Sequence, residues 1–466
     1  MMRLTSIAAA SVLLAGCASF SPDGGFDHVS ELTKERTGQA VAVQRSQSDA
    51  DSARARVAEM LKAPMTAESA VEVALLNNRG LQVKFGELGI AESDLVRAGR
   101  LKNPSFSFGR LSGVGGLEIE RAVLFDVLGL LTLPVAKEVG QRHFEQAQYQ
   151  AAYDAVSLAA DVRRAYFEAV AAQELVKFFQ QVKETADVSN ELAKRMLQAG
   201  NFNKLTQMRE QAFHADATAQ LARAQHQATA EREKLTRLLG LSGDQLNLRL
   251  PERLPDLPKE ATVPQNAEQT AMEKRLDLQM AKRSTEATAR ALGLTKATRL
   301  VNVLALGYQN RSESGSPRAN GYDIELELPL FDFGSTRAAR AEATYMQAVN
   351  RTAEVAVNAR SEVREAYSGY RTAYDLAKHY RDEVVPLRKR ISEENLLRYN
   401  GMLISVFELL ADAREQVAGV TGYVQALRDF WVAETNLQTA LAGRSPGATS
   451  VSQPAASAGA APAEGH

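Results

Sequence analysis

Apolar residues along this chain follow two different periods. Leu158, Val162, Ala165, Ala169, Ala172, Leu175, Phe179 and Val182 recur at spacings of three and four, which is the seam of a coiled coil. No Gly or Pro interrupts 141–197, so the pattern predicts a helix from about Pro134 to Gln198. At 1.5 Å per residue such a helix reaches roughly 95 Å. Gly200 and Asn201 break it, and a partner helix is predicted from about Asn203 to Leu239, closed by Gly240. The second period is two: Ile324, Leu326, Leu328 and Leu330 alternate with Asp323, Glu325, Glu327 and Pro329. Leu117, Ile119, Arg121, Val123 and Phe125 alternate in the same way with Glu118, Glu120 and Ala122.

The two patterns each occur twice. Val162-Arg163-Arg164-Ala165-Tyr166 returns as Val363-Arg364-Glu365-Ala366-Tyr367, and the same offset of 201 pairs Leu175 with Leu376, Gly200 with Gly401 and Glu233 with Glu434. A unit this long is a whole supersecondary assembly, not a solenoid repeat. We expect a first repeat over 64–250, with strands near 105–111 and 117–125, and a second over 251–443, with strands near 301–309 and 322–331. Each opens on an earlier helix, about Ala67 to Arg100 and Asn266 to Thr298. The second long helix starts near Ser335 and carries Pro386, so a bend or break is expected at Val385-Pro386. Its partner is expected from about Ile404 to Leu441.

The start of the chain changes the picture. Arg3, an apolar stretch from Ile7 to Leu14 and Leu14-Ala15-Gly16-Cys17 read as a signal peptide over 1–16. Cys17 is the only cysteine, so no disulfide can form within the chain. Residues 17–63 read as a polar linker with a short helix from about Ala50 to Leu61. The tail 444–466, rich in Ala, Ser, Gly and Pro, is expected to be disordered.

Charge and candidate chemistry exclude more than they add. With 55 Lys and Arg against 56 Asp and Glu, nothing favours a nucleic-acid partner. Beyond the signal peptide no apolar run is long enough for a membrane-spanning helix. Any membrane crossing would therefore use a closed barrel, with acids such as Glu118, Glu120, Glu325 and Glu327 facing a wet lumen. Four strands cannot close one, so several chains must contribute. The six histidines show no metal-ligand spacing, and no nucleophile or cofactor motif is present; the expectation is a non-enzyme with neither metal nor cofactor.

Pro329-Leu330-Phe331-Asp332-Phe333-Gly334, after an alternating strand and before a long helix, resembles the signature of the outer-membrane efflux proteins, the TolC-like exit ducts. Asn103-Pro104 is similar to that family's approach to its first hairpin, and Leu124-Phe125-Asp126 echoes the later signature. The first half departs from it, with Val123 and Leu128 where Pro329 and Gly334 stand and Leu130 to Pro134 inserted before the helix. Leu14 to Cys17 resembles the bacterial lipoprotein box, which implies lipidation, palmitate included, on Cys17.

The resemblance, over about 66–442, implies a mainly α fold with a membrane β-barrel portion and duplicated helix-strand-strand-helix-helix halves. Three chains would form a homotrimer with a twelve-stranded β-barrel in the outer membrane and a long coiled-coil α-barrel in the periplasm. The implied function is passive conduction of small molecules or metal ions outward, with a periplasmic adaptor, an inner-membrane pump and outer-membrane lipids as partners. Gly200, Asn201, Asn400 and Gly401 would be the hairpin tips that meet the adaptor. Glu408 and Asp412, four apart on one helical face, would ring the channel gate. A periplasmic coiled-coil lipoprotein, a tether or adaptor with no pore, is the alternative.

Overall fold

The computed structural model describes residues 19–113, 116–404 and 406–443, so Cys17, the signal peptide and the tail lie outside the described residues. In chain order come α1 (Phe26–Thr37), α2 (Gln47–Met60), α3 (Ala67–Asn77), α4 (Arg79–Ala98), β1 (Ser105–Gly113), β2 (Gly116–Asp126), α5 (Val127–Gln198) and α6 (Lys204–Leu239). The second half supplies α7 (Ala267–Lys274), α8 (Leu276–Ala297), β3 (Val303–Glu313), β4 (Ala319–Glu327), α9 (Ser335–His379), α10 (Val385–Asn400) and α11 (Val406–Ala442). A π-helical turn, Tyr380–Val384, joins α9 to α10.

Several elements differ from the sequence expectation for local reasons. The first long helix begins at Val127, so Leu130 to Pro134 lie inside it and not before it. Pro134 lies inside the helix, and in the turn before it the Thr132 hydroxyl donates to the Leu128 carbonyl. The break expected at Val385-Pro386 is the π-helical turn just upstream. Pro386 lacks the N–H that would close the preceding turn, and the helix absorbs the loss by widening. The early helix of each half is divided, at Asn78 and at Arg275. The predicted linker holds an unforeseen helix, α1, whose Phe26, Val29, Leu32 and Thr33 are buried at helical spacing.

The chain forms two compact units, and they cut across the sequence halves. One comprises residues up to Leu32, Val83–Tyr153 and Leu276–Asn358; the other comprises Thr33–Gln82, Asp154–Arg275 and everything from Ala359 on. The first unit holds one antiparallel sheet in the order β1-β2-β3-β4, so β2 of the first half pairs with β3 of the second. Phe26 packs edge-on against Phe85 at 4.9 Å, and Arg142 lies 3.5 Å from Glu286.

The second unit is helical, and the repeat is visible in its core. Val162 and Val363, Ala165 and Ala366, and Ala172 and Ala373 are all buried. Phe167 stacks on Trp431 at 5.3 Å, and Phe430 touches Trp431, Tyr370 and Tyr374. Each aromatic pair adds about 0.5–1.5 kcal/mol beyond burial. The segment joining the halves is strapped onto this cluster. Trp431 donates to the Pro255 carbonyl at 3.1 Å, Tyr374 donates to the Lys259 carbonyl at 2.7 Å, and the Tyr370 hydroxyl accepts from the Thr262 N–H at 2.9 Å. Tyr166 is held likewise by the Met65 carbonyl, and burial pushes its phenol up to about 12.

Candidate functional site

Strand register decides which side chains share a face, because directly opposed residues in an antiparallel pair point the same way. Glu120 opposes Gly109 and Arg311, Asp126 opposes Ala305, and Ala305 in turn opposes Glu325. Following these pairs across the sheet places Glu118, Glu120, Asp126, Glu313, Asp323, Glu325 and Glu327 on one face. The four predicted lumen acids are thus brought together. Arg311, on the same face, ion-pairs with Glu118 and lies 3.9 Å from Glu120.

The opposite face carries Phe106, Phe108, Val123, Phe125, Leu306, Tyr308, Tyr322, Ile324 and Leu326. Most of these are exposed, Tyr322 at 83%. No acidic residue of the four strands lies on it. Among the described residues the sheet thus divides into one face that carries the acids and one that carries exposed aromatic and aliphatic side chains.

The two strand-to-helix junctions are built differently. At the first, β2 runs straight into α5, and the Asp126 carboxylate accepts the Gly129 N–H at 2.7 Å and pairs with Lys102 at 2.9 Å. At the second, β4 stops at Glu327, short of the predicted 331, because Pro329 begins a turn in which Phe333 and Gly334 both take positive φ, 50° and 66°. Asp332 braces that turn by accepting from the Gly334 N–H at 2.9 Å and the Thr336 hydroxyl at 2.5 Å. Arg299 donates to the Phe333 carbonyl at 2.8 Å. The result presents Leu330, Phe331 and Phe333 as an exposed apolar ledge.

The helical tips lie in the other unit. At the first, Gly200 takes φ 77° after α5, and Asn203 caps α6 by accepting the Thr206 N–H at 2.8 Å. At the second, Gly401 has φ −81° and the left-handed residue is Met402, with φ 60°. The left-handed residue of the second tip thus falls one position after Gly401, the repeat mate of Gly200. Met402 and Leu403 are highly exposed, residues that sequence reasoning missed. Leu205 and Met208 at the first tip, and Leu396 and Leu397 at the second, extend the exposed apolar surface.

The predicted gate pair separates. Glu408 is exposed on the first turn of α11, whereas Asp412 is 6% exposed and its Oδ2 has no hydrogen-bond partner among the described residues. A spacing of four puts both on one side of the helix, but the turn that carries Asp412 is covered and the turn that carries Glu408 is not. Above the tip, His214 Nε2 lies 2.8 Å from Asp187, which also pairs with Lys183 at 2.7 Å. The Lys183 hydrogen bond, with His214 beside it, holds the Asp187 carboxyl below the usual range. Burial raises Asp429 and Glu434, where Arg428 and Arg163 only partly offset it. Among the described residues no group of acids, His or Cys could hold a metal, and no helix is long and apolar enough to cross a membrane.

Residues 268–441 match the outer membrane efflux protein family. No curated protein matches the chain. Among solved structures, the Campylobacter jejuni CmeC outer membrane channel is similar with a TM-score of 0.71 at 15% identity, over 82% of this chain and 87% of that one. The Vibrio cholerae outer membrane protein VceC gives 0.68 at 16%, over 81% and 96%. The open state of the Neisseria gonorrhoeae MtrE outer membrane channel gives 0.66 at 16%, over 81% and 89%. At such identities the likeness establishes the fold: long helices with a four-stranded β portion, as in outer membrane channels.

Proposed function

For this chain, whose second half is an outer membrane efflux protein domain and whose fold is that of outer membrane efflux channels, we propose the role of exit duct in a tripartite efflux system. Three copies close a twelve-stranded barrel in the outer membrane and a helical tunnel in the periplasm. Cargo passes through without chemistry, driven by an inner-membrane pump joined through a periplasmic adaptor. Cys17 carries the lipid that anchors the chain to the outer membrane.

The observation that carries this reading is the division of the sheet into an acidic face and an apolar face. Turned inward, Glu118, Glu120, Glu325 and Glu327 line water; turned outward, the aromatic and aliphatic rows meet lipid. A pore-free tether would have no use for the division. The exposed apolar tips around Leu205, Met208, Met402 and Leu403, next to Gly200, Asn201, Asn400 and Gly401, suit an adaptor's apolar docking surface. Glu408, exposed at the second tip, is the acid that rings the entrance, and Asp412 lies buried one turn behind it. Cargo is a small molecule or metal ion.

Purified protein in planar bilayers should give discrete conductance steps. If well-folded trimers never conduct, the duct reading is wrong. Glu408→Gln should lower the preference for cations over anions, and unchanged selectivity would take Glu408 out of the gate.

A further inference from the structure

The apolar face of the sheet is not apolar throughout. Its rows run across the strands, and from the helices outward they read Phe125, Leu306 and Ile324; then Phe106, Val123, Tyr308 and Tyr322; then Phe108, Arg121, Asn310 and Asn320; then Arg110, Ile119 and Ser312. An apolar row and a mainly aromatic row are thus followed by two outer rows, one with Arg121 and one with Arg110, which together make the basic row of this face. Arg110 and Arg121 are diagonal neighbours, because Arg121 opposes Phe108 and Arg110 opposes Ile119. Every strand begins or ends toward a helix, so the basic row lies at the far end, next to the hairpin turns.

Hydrogen bonding within this row consumes its acceptors. The Asn310 carbonyl oxygen accepts from Arg121 at 3.1 Å, and the Asn320 carbonyl oxygen accepts from both Asn310 at 2.7 Å and Tyr308 at 3.0 Å. What remains to face outward is donors: the other N–H groups of Arg121, the Arg110 guanidinium and the Asn320 amide. With every strand acid on the opposite face, this end of the surface is cationic and rich in donors, flanked by tyrosines. That chemistry fits an acceptor-only anion held at the boundary of an oily layer.

We propose that this row is a docking surface for the phosphoryl groups of outer-leaflet glycolipid, so that lipid phosphates fix how far the barrel protrudes. The proposal rests on the barrel reading above. Arg121 and Arg110 bind phosphate, the tyrosines sit at the headgroup boundary, and the rows beneath lie among acyl chains. Arg311, on the acidic face and paired with Glu118, takes no part.

The test is native mass spectrometry of the full-length trimer titrated with diphosphorylated lipid A, with the same lipid after dephosphorylation and with inorganic phosphate. Wild type should prefer the phosphorylated lipid, by about fivefold for each arginine. The double variant Arg110→Ala, Arg121→Gln should lose that preference, while Arg311→Ala should keep it. Arg110→Ala alone, which breaks no internal hydrogen bond of the row, should lose about half of it on a logarithmic scale if the double variant fails to assemble. Equal binding of the two lipids by wild type, or an unchanged preference in the arginine variants, overturns the proposal. So does inorganic phosphate displacing the lipid at equal concentration. Conductance in planar bilayers is read on the same preparations: steps without lipid preference sink this proposal alone, and absence of steps sinks the barrel reading.

Discussion

The two helical hairpins descend from one pattern but carry their irregularities unequally. In the first, α5 runs unbroken from Val127 to Gln198 and the tip turns on a glycine. In the second, the equivalent path is interrupted by the Tyr380–Val384 turn and the tip turns on Met402. Among the described residues, every non-glycine with positive φ lies in the second half: Asn266, Phe333 and Met402. Each costs about 1–2 kcal/mol relative to a relaxed backbone. Among the described residues, left-handed strain on side-chain-bearing residues is thus confined to the second half.

The same contrast extends to the contacts within each hairpin. Asp187 and His214 bridge α5 and α6 in the first; 201 residues on, Arg388 and Glu415 bridge α10 and α11 at 2.7 Å. The position is kept and the polarity is reversed. Phe213 and its repeat mate Arg414 touch each other, the guanidinium lying 4.7 Å from the ring centre.

The largest test is at the junctions. A Cβ on Gly334 would overlap the Arg299 carbonyl in a left-handed backbone. Gly334→Ala should therefore cost about 3 kcal/mol or more. Leu128→Gly at the equivalent position in the first half should cost about 1 kcal/mol, the helix-propensity difference. Equal losses in urea unfolding would show that the junctions do not differ as described.

Next is Asp412, a buried carboxylate with an unpartnered oxygen. Asp412→Asn should stabilise the protein by about 1–3 kcal/mol, read as a higher thermal midpoint. Its repeat mate Gln211 is exposed, and Gln211→Ala should change stability by less than about 0.5 kcal/mol. A drop in the midpoint of the Asn variant would mean that the charge is satisfied in the assembled protein.

At the tips, Met402→Gly should gain about 1 kcal/mol by relieving the left-handed side chain, and Gly200→Ala should lose about as much. Hydrogen exchange at the two tips measures both, and a loss on Met402→Gly would mean that its side chain is packed in the trimer.

The smallest effect is the pH response. Asp187 has a lowered folded pKa, so its contribution is present above the unfolded carboxylate value, about 3.9. It is lost as pH falls through the lower folded value. Acid should loosen the first hairpin around Lys183 and His214, and Asp187→Asn should remove that dependence from amide exchange. The same acid response in the Asn variant would assign it to other carboxylates.

The long helices and strands were legible because their periods are strong: eight apolar positions on one seam, and strict alternation over Asp323 to Glu327. Boundaries were less so. Leu130-Leu131-Thr132-Leu133-Pro134 reads as the approach to a helix because proline favours the first helical position, yet the helix starts at Val127 and takes Pro134 into its interior. Helix α1 was missed although Phe26, Val29, Leu32 and Thr33 carry its period, because twelve residues amid polar sequence give a weak signal. Asp412 was placed with Glu408 by spacing alone, which says which side of a helix a residue takes but not where that side is covered.

What the sequence by itself determined is the set of elements, their duplication and the amphipathic character of each strand, because propensity and periodicity act within a few residues of the chain. Only the tertiary structure decided how the halves combine. Pairing of β2 with β3 joins the copies into one sheet, and the register of that pairing collects the acids of both halves on one face. Those contacts link residues nearly two hundred positions apart. They follow from which edge meets which edge and with what offset, and no local pattern in the chain encodes that.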